Sequence, residues 1–181
     1  MAKYELFHPD TEILGQVILD FESAIGYEKF GPILEKHQLT DLEPTRWYSG
    51  QRWVDVLNEI EDLQGISMLD FVSLGIQQMA LVDWPPEFQE MSITDILLTL
   101  DEAYHQNYRG TDVGGIAAQV VADQHVALTI RSFEPDDLWY GNIYGLMRQF
   151  APGREFTVYY DKDKSRRDMG GEHTVIHATW K

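Results

Sequence analysis

The 181-residue chain contains no cysteine, which removes disulfides, thiolate nucleophiles, Cys-ligated zinc and iron–sulfur clusters together. Positive charge is scarce: 14 Lys and Arg stand against 30 Asp and Glu, for a formal net charge of -16. Such a field repels nucleic-acid phosphates and anionic lipid surfaces, so neither is an expected partner. No apolar run reaches the ~20 residues that span a bilayer. The opening "MAKYELFHPDTEIL" has no charged segment followed by an apolar stretch and a small-residue cleavage site, so the expected location is the cytoplasm. Phosphate loops and nucleophile elbows are missing too. "GTDVGG" and "MGG" match neither a Walker loop nor a dinucleotide fingerprint, and no G-x-S-x-G occurs. No residue arrangement points to catalysis.

What is abundant is material for a core. Five Trp, nine Tyr and eight Phe within a 44% apolar composition exclude disorder as the main state. The length predicts one domain over 1–181, with a helical part at 1–110 and a sheet part at 111–181. After a short strand or extended lead at Tyr4 to His8, Ile13, Leu14, Val17, Ile18, Phe21 and Ile25 recur at helical spacing behind an Asp10 or Thr11 cap. Gly31-Pro32 marks a kink or fresh start in the next helix, which carries His37 in its last turn. "TDLEPTRWYSG" reads as a connector, followed by an amphipathic helix around Trp53, Val56, Leu57 and Ile60. "ISMLDFVSLGIQQMALV", with Met68, Leu69, Phe71 and Met79, is apolar nearly all round and predicts a central helix ended by Pro85-Pro86. Ser92 and Asp95 form a capping pair before a helix whose stripe runs through Leu97, Leu100, Tyr104 and Tyr108.

From Gly114 on, β-branched residues and alternation take over. They predict strands near 114–122 and 125–133 joined by a tight Asp123-Gln124 hairpin, a helix opening at Pro135, and strands near 154–161 and 171–180. The fold class is therefore α+β: about five helices, then a roughly four-stranded antiparallel sheet with one packed helix, in ββαββ order.

Few residues suggest chemistry. His173 and His177 are four apart, but in a strand that spacing separates them by about 13 Å, so they cannot share one ion. Glu134, Asp136 and Asp137 fit either paired carboxylates or acids at a helix start. Lys162, Lys164, Arg166 and Arg167 are interleaved with Asp161, Asp163 and Asp168, as in a solvated hairpin loop. His105 lies about 110° from the centre of the apolar stripe, at the edge of any pocket between helices and sheet.

Leu100-Asp101 shortly before His105, Gly141-Asn142-Ile143-Tyr144-Gly145 on a helix between two strand pairs, Arg167 to Gly171, and Trp180 at the end form a pattern. It resembles the haem-nitric-oxide/oxygen-binding (H-NOX) domains and the related four-vinyl reductase-type ligand-binding domains. The resemblance implies haem as the candidate cofactor and puts the family's proximal His on Tyr104 or His105. Two departures accompany it. The Tyr-x-Ser-x-Arg motif that clamps haem propionates is absent: "ALTIRSFEPDD" holds Arg131 and Ser132 without the Tyr and in the wrong order. The cysteines of the four-vinyl reductase pattern are missing as well, and with them that metal site.

The expected function is a small-molecule-binding or sensor domain holding an apolar or aromatic molecule between helical part and sheet. Phe71, Met79, Leu97, Tyr104, His105, Tyr144 and Met147 are the candidate contacts. A haem gas sensor, an enzyme acting on the bound molecule and a non-catalytic interaction or dimerisation module are the alternatives, with a second copy or a separate signalling protein receiving the output.

Overall fold

The computed structural model describes residues 3–63 and 70–181. Met68 and Leu69 of the expected central helix lie outside them. Among the described residues, α1 (Gly15–Ile25), α2 (Tyr27–Lys36), α3 (Gly50–Leu63), α4 (Phe71–Leu81), α5 (Ile93–Leu98) and α6 (Leu100–Asn107) form the helical part, and α7 (Asp136–Phe150) packs on the sheet. The α+β class and the order of the second half are those expected.

The main sheet holds β4 (Gly115–Ala122), β5 (His125–Arg131), β6 (Phe156–Tyr160) and β7 (Thr174–Trp180), antiparallel in the order β4-β5-β7-β6. Alternation sets its faces: Val126, Leu128 and Ile130 of β5 are buried while Ala127 and Thr129 are only half-buried. The β4–β5 hairpin turns at Asp123-Gln124, with Gln124 at φ 57.

The N-terminal part departs from expectation in detail. Residues 4–8 form no strand. Instead Glu12–Leu14 is β1, at the centre of a small antiparallel sheet between β2 (Trp47–Ser49) and β3 (Tyr108–Arg109). Accordingly α1 starts at Gly15, not at Asp10, whose carboxylate accepts from the Thr111 backbone N–H (2.9 Å) and hydroxyl (2.6 Å). The segment expected to be a connector contains β2. Pro32 sits inside a continuous α2, whose start is marked by Gly26 at φ 91. The single helix expected over 92–108 is two, broken at Thr99, although Ser92 does cap it, its hydroxyl accepting from Asp95 N (3.2 Å).

The largest correction concerns the β6–β7 connection, which is no solvated loop throughout. Arg166 bonds Asp137 Oδ1 (2.8 Å) and Asp168 Oδ2 (2.5 Å) and lies 4.0 Å over the Tyr160 ring. Asp168 N donates to the buried Asp136 carboxylate (2.9 Å), and Arg167 Nη2 donates to the Glu134 carbonyl (2.9 Å). Alternating charges look solvated in sequence, yet here the acids at the start of α7 supply the loop's counter-charges. Replacing Arg166 by alanine strands these carboxylates and is expected to cost about 2 kcal/mol, a cost read from urea unfolding.

Candidate functional site: an internal cavity

A cavity of about 230 Å³ lies where α1, α4, α5, α6 and α7 meet. Helical spacing explains which side of α6 faces it: Leu100, Ala103, Tyr104 and Asn107 stand at i, i+3, i+4 and i+7 and all belong to the wall. On α7 the same rule brings in Leu138, Trp139, Asn142, Ile143 and Leu146. The break at Thr99 adds Thr99 and Ile96, while Trp84 and Phe88, in contact at 5.4 Å, close the side below α4. On the other side Tyr104 packs against Tyr108 (4.5 Å) and Trp139 (5.7 Å).

Polar groups punctuate this apolar wall. Tyr104 is 2% exposed, and its hydroxyl donates to the Val113 carbonyl, with Ser132 Oγ 3.3 Å away. Burial pushes its ionisation upward, as it does for Tyr108. Glu134, 2% exposed, accepts a hydrogen bond from Trp53 Nε1 (3.0 Å). Desolvation raises its pKa from 4.5 to about 7, against the opposing pull of the Trp53 and Tyr108 hydrogen bonds and of Arg167. Asp20, half-buried on α1, is also raised by desolvation, opposed by the Gln16 side-chain amide. Asn142 Oδ1 and Trp139 Nε1, on wall residues, are buried without a hydrogen-bond partner. Among the described wall residues there is no Lys, Arg or His.

The expected contacts separate accordingly. Met79 and Tyr104 are in the wall. Phe71 packs edge-on against Tyr4 (6.0 Å), Leu97 and Met147 are fully buried, and Tyr144 meets Phe156 (5.1 Å), all four outside the wall. His105 is not in it either. It projects from the other side of α6 with its side chain 48% exposed, its Nδ1–H donating to the Asp101 carbonyl (2.9 Å). There it lines a separate open groove with Asp101, Arg131, Glu172 and His173. One residue is 100° of helix, enough to put Tyr104 inside and His105 outside.

His173 lies just before β7 and lines the open groove. His177 instead lies between Asp161, which accepts from its Nε2 (3.1 Å), and His125, whose Nε2 is 2.9 Å from its Nδ1. Among the described residues no group of three His, Asp or Glu is placed to hold a metal ion, and no helix is long and apolar enough to cross a membrane.

No family model matches the sequence, and no curated protein does. Solved structures do match in shape. An H-NOX protein from S. oneidensis in the Fe(II)NO ligation state superposes with a TM-score of 0.72 at 13% identity, over 93% of this chain and 99% of that one. A point mutant of T. tengcongensis H-NOX gives 0.67 at 16% identity, over 92% and 94%. A Cs H-NOX mutant carrying 4-cyano-L-phenylalanine gives 0.68 at 15%, over 93% and 97%. The chain is H-NOX-like in fold along nearly its whole length.

Proposed function

We propose that this chain is a small-molecule-binding domain of sensor type whose ligand occupies the internal cavity. The observation that carries the proposal is the cavity itself: about 230 Å³ among α1, α4, α5, α6 and α7, and so between helices rather than, as expected, between helical part and sheet, apolar in most of its wall, with a few polar groups. An engineered cavity of about 150 Å³ holds benzene. The space here suits one ring with a short arm. It is smaller than the roughly 300–1,000 Å³ of sites for drug-sized ligands.

The residues present do not fit haem. A tetrapyrrole would need far more space, an axial ligand and cations for its propionates. His105 faces away from the cavity, and the Tyr104 phenol donates to a carbonyl and resists ionisation. The described wall carries carboxylates and no cation. Centred on Ser132, the spacing of the propionate clamp falls on Ile130 and Glu134, so an acid stands where that motif has a guanidinium. Occupancy of the cavity would be read by a second copy or a separate protein, with 1–181 acting as one unit.

Isothermal titration with 2-phenylethanol is expected to give saturable binding. Ala103→Phe, placed at an exposed wall position of α6, is expected to weaken it about tenfold by filling the entrance. Added hemin should give no sharp Soret band that His105→Ala removes. Unchanged affinity in Ala103→Phe, or a His105-dependent band, would refute the proposal.

A further inference from the structure

We infer that the ligand of the internal cavity is a small organic cation, an ammonium group carried on a single aromatic or apolar ring. The inference rests on the reading of this cavity as a binding site and names the chemistry it selects. Two carboxylic acids, Asp20 on α1 and Glu134 after β5, belong to one wall in which the described residues include no cation. The same wall holds five aromatic residues in two groups, Trp84 with Phe88 and Tyr104 with Tyr108 and Trp139.

Each feature alone has an ordinary explanation, but their combination restricts the ligand. An anion would bring a further negative charge beside two acids in a partly enclosed space where screening is weaker than in bulk water. A purely apolar ligand would remove water from half-buried Asp20 and give nothing in return. An ammonium does the opposite, adding a positive charge inside a wall that has none of its own among the described residues, while aromatic rings attract it through their quadrupoles. Both acids have their pKa raised by desolvation, which at Glu134 outweighs the pull of Arg167, a residue outside the wall, and at Asp20 outweighs the Gln16 hydrogen bond. The protein's charge of -16 favours the same sign of ligand during approach.

The test uses three probes of matched shape and different charge: phenethylammonium, 2-phenylethanol and 3-phenylpropionate, titrated calorimetrically at pH 7.5 into the full chain. The ammonium is expected to bind about tenfold more tightly than the alcohol, with the carboxylate weakest. Asp20→Asn should bring ammonium and alcohol to within about threefold by weakening the ammonium selectively, whereas loss of packing would weaken both probes alike. Glu134→Gln gives a second, independent removal of charge should Asp20→Asn disturb α1. An alcohol or carboxylate that binds as well as the ammonium overturns the inference and leaves the cavity as a binding site. Failure of all three probes at millimolar concentration overturns both.

Discussion

Alanine at Gly141 is expected to destabilise the protein by about 3 kcal/mol, seen as a fall in Tm of roughly 6–12 °C. Helices α4 and α7 pack along their lengths through glycines on both sides. A Cβ at Gly141 would run into the Val72 carbonyl oxygen, one at Gly145 would come within 2.7 Å of Met79 Cβ, and one at Gly75 would lie 2.5 Å from the Leu138 carbonyl oxygen. The obstacle at Gly141 is backbone, which no rotamer change relieves. The helices must then separate, and the contacts of Phe71, Leu74 and Leu138 loosen with them. Against this, alanine gains about 1 kcal/mol of helix propensity over glycine, so the net loss is smaller than the steric one. Because Met79, Leu138 and Asn142 also line the cavity, Gly141→Ala should weaken 2-phenylethanol binding as well. Gly153, at φ 74 with open space around it, is the control: alanine there is strained by its backbone conformation but meets no neighbour.

The second half of the fold was legible because its period is sustained. Over seven residues β5 alternates half-buried and buried positions, and α7 repeats its buried face over 15 residues between a proline and a glycine. Three-residue strands such as β1 and β2 cannot show a period, and their pairing is decided by tertiary contact: β1 pairs with β2 and with β3, both distant in sequence. The break between α5 and α6 was hidden because the apolar stripe continues across Thr99.

In the cavity, the signal for Glu134 was present and was outweighed by its place before a helix. Val126, Leu128, Ile130, Ser132 and Glu134 share the inward parity of β5 and are all buried, but alternation itself ends at Arg131: Phe133 and Pro135 are buried as well, and the whole β5–α7 junction runs through the interior. Tyr104 was likewise at the centre of its stripe. The pull towards His105 came from its position near the end of the helix before the sheet and from the resemblance to haem proteins; its side chain is half-exposed and outside the wall. The fold is H-NOX-like at 13–16% identity, and the wall of this chain's cavity is partly acidic and aromatic.

That acidic wall carries a pH dependence. The folded pKa of Glu134, about 7, lies above the ordinary value of 4.5, which the unfolded chain should approach. Below pH 4.5 both states are protonated and the carboxyl adds no penalty. As pH rises the unfolded chain releases its proton first, so folding loses stability until the folded group also ionises near pH 7. Over this window the loss is about 3 kcal/mol. Glu134→Gln should remove it. The glutamine keeps an oxygen for Trp53 Nε1–H but has no charge to desolvate, so urea unfolding should find the variant less pH-dependent from pH 4.5 to 7, and above pH 7 more stable than the parent. The groups facing this carboxyl modulate the effect without reversing it. Arg167 and the Trp53 and Tyr108 hydrogen bonds favour the ionised form, and desolvation outweighs them. An ammonium ligand would add to the first side, returning the Glu134 pKa towards 4.5 and restoring the lost stability. Equal pH dependence in parent and Glu134→Gln would mean that the carboxyl is solvated in the folded chain, and that the cavity holds no buried charge for a cation to meet.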